Sequence, residues 1–326
     1  MRFWSRVDGS ENGSGPSEAP ALIPARQRPR VGLALGAGAA RGWAHIGVIH
    51  RLAEAGIDVD IIAGTSIGAL VGGCYVAGKL DPLEDFARKL TRRRIFSLLD
   101  FSWRGGGLIA GDRLQRMLNE QLGDTLIEDL DRPFICIGTE LLTGHEIWLQ
   151  KGRLVDAIRA SYALPGVFKP IHFAQQWLID GAVVNPIPVS ACRAAGARLV
   201  IAVNVNADAF GGTVIQQPDV VRAVEQVGAD TMPAPVPVPP PRDLHASPPG
   251  ISAVLVAAFN IAQDRLARSR LAGDPPDVLI SPRTGDVGLF DFEKASLAIE
   301  AGWEAAERAL PEIRWALDHL SQLVSA

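Results

Sequence analysis

Ser66 is the centre of the sequence GTSIG at residues 64–68. A predicted strand at residues 59–63 precedes it and a helical pattern follows it, which is the strand-turn-helix context of a nucleophile elbow. Gly64 and Gly68 favour the sharp turn that exposes a serine hydroxyl, and the N-terminus of a helix beneath it favours developing negative charge. The pattern predicts that Ser66 is a nucleophile, and a turn of small residues that merely packs is the structural alternative.

A second glycine-rich segment, GAGAARG at residues 36–42, follows an apolar run at residues 31–35. In a parallel sheet this loop and the serine turn emerge at the same carboxyl edge, so they can meet. Glycines leave backbone N–H groups free to converge on an anionic oxygen, as an oxyanion hole requires. A dinucleotide-binding loop is the alternative, with Asp58 or Asp60 as its acidic residue, but Arg41 stands where that fingerprint has glycine.

Asp180 is the predicted partner of the serine. It follows an apolar run at residues 177–179, which places its carboxylate at a strand end, and Gly181 permits a close approach. The usual hydrolase order of serine, acid and histidine would require His245 or His319 as the base. The first lies in a proline-rich segment and the second in a predicted terminal helix, so neither occupies a strand-end loop. The aspartate itself can therefore act as the base.

These segments together resemble the patatin-like phospholipase family, in its bacterial branch related to the catalytic domain of neuropathy target esterase. The resemblance rests on residues 36–42, 64–68 and 180–182, and on a fourth block, RASYALPGVF at residues 159–168. It covers about residues 30–206, with a weaker likeness at residues 288–310. Four blocks in the family's order are a specific signal.

The resemblance implies a patatin-like three-layer α/β/α fold and a dyad of Ser66 and Asp180 without histidine. The implied reaction is hydrolysis of phospholipid or lysophospholipid acyl esters, with no metal and no cofactor. The implied oxyanion hole is the loop of Gly36, Ala37, Gly38, Ala39 and Arg41, in which backbone amides near Ala37, Gly38 and Ala39 hold the oxyanion and Arg41 shapes the loop. The chain departs from the family in having Ala37 where glycine is frequent, and Ala182 in place of a second glycine after the aspartate.

Two other functions stay open at this stage. The same fold could serve a catalytically silent protein that binds lipid or regulates, although the intact serine and aspartate argue against silence. The same dyad could also serve an esterase or an acyltransferase that acts on smaller esters. Chain-length preference and acceptor tests would separate these from a lipid hydrolase.

The segments that surround the motifs alternate between strand and helix patterns. Strands are predicted at residues 31–35, 59–63, 134–141, 146–150, 177–179, 198–205 and 277–280, and helices at residues 43–55, after Ser66, and at 112–122, 154–161, 186–195, 251–271 and after Asp291. This alternation predicts an α/β fold with a mainly parallel sheet flanked by helices. The uncharged stretch at residues 61–78 is long enough to approach a membrane span, but its glycines favour a buried strand, turn and helix.

The 326 residues are organised, in this prediction, as a disordered tail at residues 1–28 and one hydrolase domain at residues 29–326. Within that domain, residues 208–250 form a proline-rich mobile excursion. The three cysteines have neither disulfide nor metal-site spacing, which favours a reducing cytoplasm.

The predicted partner is a lipid or lysolipid substrate. The net charge of −4 and the absence of binding signatures argue against nucleic acid. The basic residues at 88–94 lie beside apolar and aromatic ones, a combination suited to peripheral contact with the inner membrane surface. The sequence leaves the oligomeric state open.

Overall fold

The computed structural model describes residues 29–93, 95, 112–208 and 251–325, where the chain forms strands and helices in alternation. The strands are β1 (Val31–Leu35), β2 (Ile61–Thr65), β3 (Phe134–Glu140), β4 (Glu146–Leu149), β5 (Ile171–Phe173), β6 (Gln176–Asp180), β7 (Leu199–Val203) and β8 (Val278–Ile280). The helices are α1 (Ala44–Glu54), α2 (Ile67–Val76), α3 (Leu80–Arg88), α4 (Asp112–Leu122), α5 (Leu154–Ser161), α6 (Val189–Ala194), α7 (Ile251–Gly273) and α8 (Ala295–Ser325). The predicted tail at residues 1–28 and nearly all of the proline-rich segment lie outside the described residues.

The strands form one sheet in the order β5-β6-β3-β2-β1-β7-β8, with β4 also paired to β3. The run from β3 through β2, β1 and β7 to β8 is parallel, as the alternating pattern predicted. The remaining strands, β4, β5 and β6, pair in antiparallel fashion. The sheet is therefore mainly parallel, and its antiparallel part adjoins β3.

Helices cover both faces of this sheet. Leu33 and Leu35 of β1 belong to a core that includes side chains of α1, α2, α5 and α8, whereas Ala34 belongs to a second core with side chains of α6 and α7. Because successive residues of a strand point to opposite faces, a strand buried on both sides reads as a continuous apolar run. The three-layer α/β/α architecture is thus confirmed.

Strands β2 and β6 meet head-on beside β3. Cys136 and Ile137 of β3 are shared between β2 and β4, and the next two residues are shared between β4 and β6. Both β2 and β6 therefore lie on the side of β3 that is opposite β4. Thr65, the end of β2, is aligned with Ile137, and Asp180, the end of β6, is aligned with Gly138. The carboxyl ends of two strands that run in opposite directions thus face each other.

The uncharged stretch at residues 61–78 forms β2, the serine turn and α2, with eight of the helix residues buried. This confirms the prediction of a core strand, turn and helix. Within the described ranges, none of the helices combines the length and the apolar character that a bilayer crossing needs.

Candidate active site

Ser66 occupies the turn between β2 and α2 in a conformation that few non-glycine residues adopt. Its φ is 56° and its ψ is −120°, and it is the residue that directly precedes α2. Such backbone geometry costs of order 1–3 kcal/mol and persists only where the surroundings enforce it. One enforcing contact is the hydrogen bond from the Ser66 backbone N–H to the Ser161 hydroxyl at 2.9 Å. The strain is concentrated on the predicted nucleophile.

Gly64 and Gly68 are required by close packing rather than by their own dihedral angles. A Cβ atom on Gly68 would lie 2.1 Å from the carbonyl oxygen of Leu35, and one on Gly64 would lie 2.5 Å from the carbonyl oxygen of Gly68. Neither glycine has positive φ. The two glycines let the first turn of α2 rest directly on β1 and β2, and this packing forces the turn at Ser66.

The Ser66 hydroxyl donates a hydrogen bond to Oδ2 of Asp180 at 2.7 Å. The other carboxylate oxygen, Oδ1, accepts the backbone N–H of Ala182 at 2.8 Å. The Asp180 backbone is fixed as well, because its N–H donates to Ala163 and its carbonyl accepts the Thr139 hydroxyl. The carboxylate is thereby aimed at the serine oxygen.

The route by which Asp180 reaches Ser66 differs from the sequence-based expectation. Asp180 was predicted at a strand end, and it is the last residue of β6, but β6 runs antiparallel to β3 and reaches Ser66 from the opposite direction. Gly181 makes the close approach possible, since a Cβ atom there would lie 2.3 Å from the carbonyl oxygen of Ile137. The pairing with Ser66 was anticipated, whereas the strand direction was not.

Burial raises the pKa of Asp180 to about 7, and the hydrogen bonds from Ala182 and Ser66 only partly oppose that rise. The residue is 2% exposed. A carboxyl group with a pKa near 7 is present in both protonation states at neutral pH, which is the range in which a general base works best.

Two residues of the glycine-rich loop, Gly38 and Ala39, line the cavity beside Ser66. The N–H groups of Gly36 and Ala37 donate to the carbonyls of Val203 and Pro186, so neither is available to an oxyanion, although Ala37 was among the predicted donors. Among the described residues, no acceptor binds the N–H of Gly38, Ala39 or Ile67, and all three residues line the same cavity as Ser66. These three amides are the candidate oxyanion donors.

The side chain of Arg41 forms hydrogen bonds that connect it to the glycine-rich loop. Its side chain is buried, Nε donates to the carbonyl of Val287 at 2.9 Å, and Nη1 donates to Oδ1 of Asn206 at 3.0 Å. The Asn206 amide donates in turn to the carbonyl of Ala37 at 2.9 Å. Arg41 is therefore linked to the loop through Asn206, a residue that no sequence motif singled out.

His45 supports the same loop as a neutral group. It is completely buried, its Nε2 lies 2.7 Å from the carbonyl oxygen of Gly36, and burial lowers its pKa to about 4. The described histidines do not line the cavity that contains Ser66 and Asp180. His319 stacks on Trp315 within α8, and His245 lies outside the described residues.

A mainly apolar cavity of about 150 Å³ lies beside the serine and the aspartate. Its walls include parts of α2, α3, α4 and α7, the segments that follow α3 and α5, and residues 289–292. Representative wall residues are Leu70, Phe86, Leu90, Val167, Phe259 and Phe292. The place of α7 in this site was not predicted, because no motif marks the helix and it is separated from the other blocks along the chain.

The structure also bears on the alternative of a dinucleotide-binding loop and on the basic residues at 88–94. Asp60 accepts the backbone N–H of Val31 at 2.7 Å, at the amino end of β1 and so at the edge opposite the glycine-rich loop, where it could not serve a dinucleotide ribose. In the basic run, Arg88, Lys89 and Arg92 are paired with Glu84, Asp85 and Glu293. Arg94 and the aromatic residues after it lie outside the described residues, so the membrane contact stays a prediction.

Residues 33–193 match the family model described as patatin-like phospholipase. An uncharacterized NTE family protein of Mycobacterium tuberculosis is 34% identical over 90% of this chain and 95% of its own length. Another NTE family protein of that organism is 29% identical over 94% of this chain and 51% of its own length. Lysophospholipase NTE1 of Saccharomyces cerevisiae is 36% identical over 54% of this chain and 11% of its own length. The chain therefore belongs to the patatin-like phospholipase family and is related to the NTE family proteins.

Proposed function

We propose that this protein is a serine hydrolase that cleaves acyl esters of phospholipids or lysophospholipids, with Ser66 as nucleophile and Asp180 as general base. The observation that carries the proposal is the 2.7 Å hydrogen bond from the strained Ser66 hydroxyl to a buried carboxylate. The name of the yeast relative, a lysophospholipase, supports the substrate class.

In the first half of the proposed cycle, the Ser66 oxygen attacks the ester carbonyl carbon while its proton passes to Oδ2 of Asp180. The tetrahedral oxyanion accepts hydrogen bonds from the amides of Gly38, Ala39 and Ile67. Each such donor is worth about 3–4 kcal/mol of transition-state stabilisation in comparable sites. The alcohol then leaves with the proton from Asp180, and the acyl group stays on Ser66.

In the second half, a water molecule attacks the acyl-enzyme and gives its proton to Asp180. The same amides stabilise the second tetrahedral intermediate. Collapse of that intermediate releases the fatty acid and returns the proton to Ser66. One carboxylate thus moves every proton, and no histidine is needed.

The apolar cavity is expected to favour esters with a long acyl chain over esters with a short one. Each buried methylene contributes about 0.8 kcal/mol, which corresponds to roughly fourfold in kcat/KM for every carbon added until the cavity is filled. The side chains that line it are suited to hydrocarbon because the described ones are mainly aliphatic or aromatic.

The test is hydrolysis of p-nitrophenyl esters of graded chain length and of a lysophospholipid. Ser66→Ala and Asp180→Asn are expected to lose activity, whereas His245→Ala and His319→Ala are expected to retain it. Activity that rises with chain length would support the lipid assignment. An inert wild type, or loss of activity in a histidine variant alone, would contradict the proposed chemistry.

A further inference from the structure

Two carboxamide side chains of α7 line the otherwise apolar catalytic cavity. Gln263 is 5% exposed, and Asn260 is half-buried. They are three residues apart, so they lie on the same face of the helix. Both line the cavity together with Ser66 and Asp180.

The Gln263 amide has no hydrogen-bond partner among the described residues. The next residue, Asp264, is also buried, but it is paired with Arg268 at 3.0 Å. The polar atoms of Gln263 are not among the fully buried unpaired atoms of the described residues, so they reach the open space of the cavity. A carboxamide there can donate two hydrogen bonds and accept two, and a ligand can bind to it without breaking a hydrogen bond inside the protein.

The side chains around the Gln263 amide favour an uncharged ligand group as its hydrogen-bond partner. Among the described residues that line the cavity, the ionisable side chains are those of Asp180 and Tyr162, and there is no lysine or arginine. An anionic phosphate group would find no counter-charge there. A hydroxyl group, which donates and accepts like the carboxamide, is the matching neutral group.

We propose that Gln263, assisted by Asn260, binds a free hydroxyl group of the alcohol part of the substrate, next to the ester that Ser66 attacks. This inference rests on the proposed function and narrows its substrate class to acyl esters of glycerol that keep a free hydroxyl. Lysophospholipids and monoacylglycerols both carry this group.

The experiment measures kcat/KM for five palmitoyl esters, namely 1-palmitoyl lysophosphatidylcholine, 1-monopalmitoylglycerol, the 2-deoxy analogue of each, and p-nitrophenyl palmitate. Gln263→Met keeps the length of the side chain and removes its hydrogen bonds. Arg265→Met, an exposed position on the same helix, is the matched control. The two glycerol esters differ in headgroup, so their wild-type rates identify which source of the hydroxyl is preferred.

Gln263→Met is expected to lower kcat/KM for the two esters that carry a 2-hydroxyl, next to the cleaved ester, roughly 5- to 10-fold, the range of one neutral hydrogen bond. The other three esters are expected to change less than about 2-fold, and Arg265→Met is expected to change none of the five. An equal loss for all five esters, or no loss for any, would overturn the inference while leaving hydrolysis by Ser66 intact. If wild type hydrolyses none of the five, the proposed function fails and the inference fails with it.

Discussion

Replacing Asp180 by asparagine is expected to stop hydrolysis and, at the same time, to stabilise the folded protein at alkaline pH. The asparagine can keep both contacts of the carboxylate, accepting from Ala182 through Oδ1 and donating to the Ser66 oxygen through Nδ2. It removes only the charge, which is buried without a cation beside it. The effect on stability therefore isolates the cost of that buried charge.

The size of the effect follows from the pKa of Asp180, which burial raises from 3.8 to about 7. The folded protein binds this proton more tightly than the unfolded chain does. The contribution of Asp180 to stability is therefore most favourable below about pH 4 and is lost as the pH rises to about 7, by about 4 kcal/mol in all. Asparagine does not titrate, so Asp180→Asn is more stable than wild type by less than about 2 kcal/mol at pH 5 and by about 4 kcal/mol at pH 8.

The assay is urea unfolding of wild type and Asp180→Asn at pH 5 and pH 8. Comparing the two proteins at each pH cancels the titration of all other groups. Asp81→Asn, at a side chain that is 89% exposed, is the control and is expected to change by less than about 0.5 kcal/mol at either pH. If Asp180→Asn is no more stable than wild type at pH 8, the reasoning that burial raises the pKa of Asp180 is refuted.

Three further predictions concern the rate. Because Asp180 must be ionised to act as a base, kcat/KM for a p-nitrophenyl ester is expected to rise with pH through an apparent pKa near 7. A kcat/KM that stays constant from pH 5 to 9 would argue against Asp180 as the base. Ser161→Ala removes the acceptor for the Ser66 backbone N–H and is expected to lower kcat about 10-fold. Ser190→Ala, at a half-buried position, is the control and is expected to leave kcat unchanged. Equal effects of the two substitutions would count against a role of Ser161 in the turn at Ser66. Arg41→Met and Asn206→Leu each break the same chain of hydrogen bonds to Ala37. The double variant is therefore expected to lose about as much activity as the less active of the two single variants. Additive losses of activity would show that the two residues act separately.

The fold could be predicted from the sequence because its signals are local. β1 and α5 begin and end where the apolar patterns predicted, at Val31–Leu35 and Leu154–Ser161. The strand of Asp180 is the counterexample. Its apolar residues predicted a strand correctly, but its antiparallel direction depends on pairing with β3, about 40 residues earlier in the chain. β5 was missed because its three residues carry no distinctive pattern, whereas α3 was missed although its buried residues Leu80, Leu83 and Ala87 have helical spacing.

The residues of the candidate site also fall into two groups, those that sequence motifs predicted and those that only the fold brings to the site. Ser66, Asp180 and the glycine-rich loop lie in short motifs, so their residue types and spacing predicted them. Asn206 and Gln263 belong to no motif, and their contributions come from contacts with residues far away in the chain. Ala37 could be removed from the predicted oxyanion donors only when the acceptor of its N–H group was known.

The central claim is that Ser66 is a nucleophile activated by Asp180, and covalent labelling tests it most directly. Wild type is treated with a fluorophosphonate probe at pH 8, and the labelled residue is identified by peptide mass spectrometry. The account predicts a single adduct on Ser66, no adduct in Ser66→Ala and labelling at least 100-fold slower in Asp180→Asn, in line with the loss of a general base. An adduct on another serine, or labelling of Asp180→Asn at the wild-type rate, would contradict it.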